Sequence, residues 1–175
     1  MKACKYGIIL LLFSFFAAKG SSAQDPDTFS IKLKSAALDI MRSPGLCAFI
    51  TIDQHGKPLA RMMDPFSPDS NFVVWLGTNP KSRKAREIKR NPAVCLYYTN
   101  PAISGYVMIQ GTAKLVNDPK EKNNRWKTAW KEFYKSRELD YILIKVTPSR
   151  LEVVNYNAGI VSGNPETWEA PNIKF

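Results

Sequence analysis

Histidine occurs once in this chain of 175 residues, at His55, and cysteine three times. A single histidine and so few thiols leave too few soft ligands for a zinc site of the usual donor set. They also leave haem only His55 as an axial ligand. His55 sits beside Gly56 between two apolar runs and reads as a turn residue. No Asn-X-Ser/Thr acceptor is present, and no glycine-rich nucleotide fingerprint of the Rossmann type. Internal repeats and low-complexity segments are absent as well. Long apolar runs are limited to one, residues 7–18, too short to cross a bilayer comfortably.

That apolar run follows Lys2 and Lys5 and leads to Ser21, Ser22 and Ala23. A charged start, a short apolar middle and a small-residue end predict a signal peptide over residues 1–23 and export by the general route. The mature chain then lies outside the cytoplasm, periplasmic or secreted; the alternative is an uncleaved anchor. No twin-arginine pair precedes the run, and no lipid-bearing cysteine follows it. Removing residues 1–23 takes away three lysines and no acids, lowering the net charge from +10 to +7. A basic surface attracts anions. Nucleic acid is disfavoured by export and by the lack of aromatics interleaved with a basic groove. Stable membrane insertion of the mature chain is not expected. Cys47 and Cys95 fall in apolar strand-like runs, where two buried free thiols are expected over a disulfide.

Residues 24–175 form one domain by length. Periodicity predicts a helix over 30–42 with Ile31, Leu33, Ala37, Leu38 and Met41 inward, and strands over 46–52, 58–63, 72–77, 93–99 and 106–116. In 106–116 the positions Val107, Ile109, Gly111, Ala113 and Leu115 share one face. A helix begins at Asp118-Pro119 and carries Trp126, Trp130 and Phe133 as a stripe packed on the barrel or sheet, a ligand role for the stripe being the alternative. Strands over 141–147 and 150–156 are separated by Pro148-Ser149, and the tail 157–175 has no periodicity. Six or seven strands linked mostly as hairpins, with few helices, predict a mainly β fold: an antiparallel barrel with flanking helices.

The segment Thr78-Asn79-Pro80-Lys81-Ser82-Arg83-Lys84 carries the most chemistry. Asn79 reads as a helix N-cap and Pro80 as the first helical residue. Lys81, Arg83 and Lys84 then crowd a helix start that already carries positive dipole charge. Free N–H groups, the hydroxyls of Thr78 and Ser82, and three cations together suit a phosphate. A solvated basic helix is the alternative.

Arg61-Met62-Met63, the run Phe72 through Lys84, and Asn91-Pro92-Ala93-Val94 together resemble the FMN-binding split-barrel family typified by pyridoxamine 5'-phosphate oxidase. The shorter, general-stress-protein branch is the most similar, and Gly111 through Val116 and Trp168-Glu169-Ala170-Pro171 also fit it. The resemblance implies a split-barrel homodimer with FMN at the subunit interface. It implies that Thr78, Ser82, Arg83 and Lys84 bind the FMN phosphate, and that Arg61, Met62 and Met63 lie along the flavin ring. Haem and deazaflavin are the secondary cofactors. It further implies a flavin-dependent oxidoreductase with an unknown small substrate, the alternative being a non-catalytic secreted carrier or interaction module. No catalytic protein residue is expected. Where the true oxidase has a substrate-binding lysine, this chain has Phe66. The Arg-X-His pair is Arg150-Leu151-Glu152, and the tryptophan and second arginine at the flavin fall on Ile144 and Val154. These departures argue against oxidation of pyridoxamine 5'-phosphate.

Overall fold

The computed structural model describes residues 26–42 and 45–175. The signal peptide expected over residues 1–23 lies outside the described residues. Among the described residues no helix is long and apolar enough to cross a membrane.

Among the described residues seven antiparallel strands form one sheet, six of them in the order β2 (Pro58–Met63), β1 (Cys47–Ile52), β4 (Ala93–Asn100), β5 (Ile103–Val116), β6 (Ile142–Asn155), β3 (Val74–Thr78). A short β7 (Asn172–Lys174) pairs with the far half of β6. The two terminal strands approach each other without a ladder. A single bridge, Pro65 to Leu76, and the bond from Phe66 N–H to the Trp75 carbonyl at 2.8 Å join them. The result is a split β-barrel, closed on one side by a contact only a few residues wide. Along the split, one side of the β2 backbone has no strand partner among the described residues, which leaves donors and acceptors available.

Helix α1 (Pro26–Met41) lies against β4, β5 and β6. Leu33, Ala36, Ala37, Ile40 and Met41 recur at helical spacing and join Phe49, Leu96, Ile109 and Leu151 in the core. Ile31, expected inward, is exposed, because the buried stripe starts at Leu33. The amide of buried Asn155 donates to the Ala36 carbonyl at 3.0 Å, fixing α1 on the barrel.

Pro148 does not break the last strand in two as expected. β6 runs continuously to Asn155, and Pro148 stands opposite Gly111, where the pairing register shifts. A bulge accommodates the missing N–H there. Gly111 is required for a different reason. A Cβ at this position would meet the Thr147 carbonyl oxygen at 2.2 Å, a backbone atom with no room to retreat. Gly111→Ala is expected to cost about 2–3 kcal/mol, lowering the melting temperature by about 5–10 °C in thermal denaturation. A drop under about 2 °C contradicts this close approach.

The expected long helix from Asp118 is also shorter. Asp118 caps α3 (Pro119–Asn124), accepting from Glu121 N–H at 2.9 Å, and a separate 3-10 helix spans Thr128–Glu132. Trp126 and Trp130 nonetheless pack as the stripe predicts, in a second core with Trp75, Tyr141 and Leu143. Arg125 covers the Trp75 ring at 3.9 Å and Arg137 the Trp126 ring at 4.7 Å. Phe133 departs from the stripe and is 78% exposed. In the tail, Asn172–Lys174 finds a partner strand that its own composition does not announce. Cys47 and Cys95 are free thiols, and burial pushes them up to about 12 and about 11.

Candidate cofactor site in the barrel split

Helix α2 (Arg83–Arg90) starts three residues later than the Asn79-Pro80 pair suggests. Ser82 is the N-cap, its hydroxyl accepting from Ala85 N–H at 3.3 Å. Asn79 instead closes the preceding turn, its side chain accepting from Lys81 N–H at 2.8 Å. The N–H groups of Arg83 and Lys84 thus open the helix, where no intrahelical acceptor exists for them. Beside them the hydroxyls of Ser82 and buried Thr78 lie 3.1 Å apart, and Lys84 Nζ donates to Thr78 Oγ1 at 3.3 Å.

A cleft of about 330 Å³ occupies the split here. Met62 and Met63 of β2 line one wall, and Thr78, Ser82 and Lys84 the other. Five of the seven residues expected to hold a cofactor therefore meet in one cavity. The other two do not face it. Arg61 turns inward from β2: its guanidinium donates to the Phe49 carbonyl at 3.2 Å, to Thr51 Oγ1 at 2.6 Å and to Glu87 Oε2 at 3.0 Å. Arg83 lines a different cleft, of about 300 Å³, with Nε 3.3 Å from Glu87 Oε1, and its side chain is 64% exposed against 4% for Glu87.

Glu87 is the residue that sequence reasoning missed. It is the single acid in the helix Arg-Lys-Ala-Arg-Glu-Ile-Lys-Arg, and that isolation among cations was its only signal. Buried and accepting from Thr51 Oγ1 at 2.5 Å, it anchors α2 to β1 and offsets part of the charge of Arg61 and Arg83. Lys84 has no ion-pair partner among the described residues. Arg61, Arg83 and Lys84 stand around the single buried carboxylate of Glu87, a local excess of positive charge beside the cleft, whose own charged lining residues are Lys84 and Asp64.

Burial, then the positive charge of Arg61, holds the Lys84 ammonium below the ordinary lysine range, with Glu87 opposing and Arg83 adding. The folded protein thus binds this proton less tightly than the unfolded chain. Without ligand, stability is expected to rise with pH through the folded Lys84 value toward 10.5. Thermal denaturation across that range checks this against Lys84→Met, in which the increment disappears. An identical pH profile in both proteins contradicts it.

The rest of the cleft comes from Asp64 and from Trp130, Phe133 and Tyr134 of the segment after α3. Asp64 is held by Trp130 Nε1 at 2.9 Å and by Lys127. No periodic signal in β2 or β3 connects these aromatics to the site; only the barrel's closure brings them there.

Residues 33–155 match the family model described as pyridoxamine 5'-phosphate oxidase. The chain belongs to this family. General stress protein 26 of Bacillus subtilis (strain 168) is 24% identical over 127 residues, covering 70% of this chain and 89% of that protein. A pyridoxine/pyridoxamine 5'-phosphate oxidase of Methylibium petroleiphilum is 28% identical over 142 residues, 81% of this chain but 62% of that enzyme. The chain thus spans only part, about three fifths, of that oxidase's length. Among solved structures, General Stress Protein 26 from Bacillus anthracis str. Sterne superposes with a TM-score of 0.65 at 22% identity, covering 82% of this chain and 98% of that one. An F420 reductase gives 0.53 at 22% identity (65% of this chain, 93% of that one). A heme binding protein from Mycobacterium smegmatis gives 0.56 at 16% (68% and 52%). At these identities the structural likeness shows the shared fold.

Proposed function

We propose that this protein is an exported homodimeric flavoprotein that binds FMN in the barrel split and acts as an oxidoreductase on a small substrate other than pyridoxamine 5'-phosphate. One observation carries the reading: Thr78, Ser82 and an ion-unpaired, half-buried Lys84 converge on the cleft bordered by Met62 and Met63. The hydroxyls and opening N–H groups of α2 hold the phosphate, with Arg83 reaching it from the helix rim. The free edge of β2 offers backbone donors and acceptors to the polar side of the flavin ring, and Phe133 and Tyr134 offer apolar cover. When bound, FMN supplies the capacity to accept or donate a hydride or single electrons. The protein's part is to orient it and exclude water.

The substrate positions matching those of the true oxidase (Phe66 and Arg150) and the two positions matching its C-terminal flavin contacts (Ile144 and Val154) are taken up by structural side chains here. Phe66 packs edge-on against Trp130 at 5.4 Å, and Ile144 and Val154 are buried. Arg150 is engaged by Glu152 at 2.9 Å and Glu169 at 2.7 Å. This occupation supports the second reading, a non-catalytic flavin carrier. Equilibrium dialysis of the purified protein against FMN, haem and a deazaflavin, followed by reduction of any bound flavin with candidate donors, separates the two. FMN retained and turned over supports the oxidoreductase; FMN retained without turnover supports the carrier; retention of haem or deazaflavin alone overturns the FMN reading.

A further inference from the structure

Lysine is seldom buried without a counter-charge. Lys122 of α3 is 7% exposed, and it has no ion-pair partner among the described residues. Its ammonium donates to Asn117 Oδ1 at 3.0 Å and to the Glu138 carbonyl at 3.1 Å. One of its three N–H donors is left over, and both acceptors are neutral. The hydrogen bonds position the charge without balancing it.

A second cation stands beside it. The turn over residues 136–140 is closed by Asp140 N–H donating to the Ser136 carbonyl at 2.8 Å and Ser136 N–H donating to Asp140 Oδ2 at 3.1 Å. This turn sets Arg137 against α3. Its Nη2 donates to the Lys122 carbonyl at 2.6 Å, and its guanidinium covers the Trp126 ring. Arg137 Nε is buried and has no acceptor, and Arg137 also lacks an ion-pair partner among the described residues. Burial, then the charge of Arg137, holds the Lys122 ammonium below the ordinary lysine range, with Glu138 opposing.

Lys122 and Arg137 line a cavity of about 510 Å³ with Asn117, Pro119, Asn123 and Glu138. It shares no lining residue with the cleft in the split. Glu138, its one acid, is exposed and in no ion pair. Two cations against one carboxylate leave a single positive charge for a ligand to neutralise. We infer that this cavity is a second ligand site, which binds a small polar organic acid through its carboxylate. The guanidinium of Arg137 and the spare N–H of Lys122 offer donors to the carboxylate oxygens, and the amides of Asn117 and Asn123 offer partners to hydroxyl or carbonyl groups on the rest of the molecule. A phosphate dianion would overshoot the charge. The inference is independent of flavin binding.

Isothermal titration calorimetry of the purified protein with acetate, gluconate, succinate and inorganic phosphate, at matched ionic strength, tests this. At least one carboxylate is expected to bind saturably, at about 1 mM or tighter, and phosphate more weakly. Arg137→Gln is expected to lower the carboxylate affinity about tenfold or more. Glu138→Gln, at an exposed position, is expected to raise it about twofold or more. Should Arg137→Gln lose its cooperative thermal transition, Glu138→Gln decides alone. Lys84→Met, at the other cleft, leaves the isotherm unchanged and so separates this site from the one in the split. The inference is overturned by the lack of saturable carboxylate binding, or by phosphate binding more tightly than every carboxylate. It is equally overturned by an isotherm that Glu138→Gln fails to strengthen, or that Lys84→Met abolishes.

Discussion

Arg83→Ala combined with Lys84→Ala is expected to weaken FMN binding at least a hundredfold. Each charge-assisted phosphate contact contributes roughly 1.5–3 kcal/mol, and the loss of two such contacts exceeds the roughly 2.7 kcal/mol of a hundredfold change. The two side chains act differently. Lys84 is half-buried at the cleft, hydrogen-bonded to Thr78 and short of a counter-charge. Arg83 is mostly exposed and only loosely engaged by Glu87, so it can turn to the phosphate without breaking a well-aligned bond. Circular dichroism should match wild type, because neither side chain belongs to the core. A titration in which the double variant binds FMN within threefold of wild type contradicts this role for the turn.

Glu87→Ala is expected to cost more in folding than any other single change at the site. It removes the acceptor for Thr51 and strands the Arg61 guanidinium, which is 17% exposed, beside Lys84 and Arg83. Breaking one side of such a pair typically costs about 3–5 kcal/mol. For a chain of this length that is a fall of about 10 °C or more in melting temperature. Glu87→Gln keeps an acceptor oxygen for Thr51 and Arg61 and should lose less. A loss under about 1 kcal/mol in Glu87→Ala, by urea unfolding, means that Thr51 and the Phe49 carbonyl hold Arg61 unaided.

Much of the architecture was legible because alternation and turn residues are local signals. The β1–β2 hairpin, the inward face of β5 and the start of α3 at Asp118-Pro119 follow from their own residues. What misled was context. Pro148 reads as a strand break, yet its missing N–H falls opposite the Gly111 bulge. Asn79-Pro80 reads as a helix start, yet Ser82 caps better because its hydroxyl also meets Thr78. At the site, the cationic turn was visible as charge in the wrong place. The engagement of Arg61 by Glu87, the placement of Arg83 on a second cleft and the aromatic wall of Trp130, Phe133 and Tyr134 depend on how β2, α2 and the segment after α3 meet. No spacing within any one of them encodes that.

The central claim is that the turn from Thr78 to Lys84 grips the phosphate of a flavin nucleotide. The most direct test compares FMN with riboflavin, which shares the ring and ribityl chain and lacks only that phosphate, by titrating each into the purified protein and following the flavin spectrum. The account predicts FMN binding in the micromolar range or tighter, and about a hundredfold or more tighter than riboflavin. Equal affinities for the two, or a flavin spectrum unchanged at saturating FMN, would contradict it.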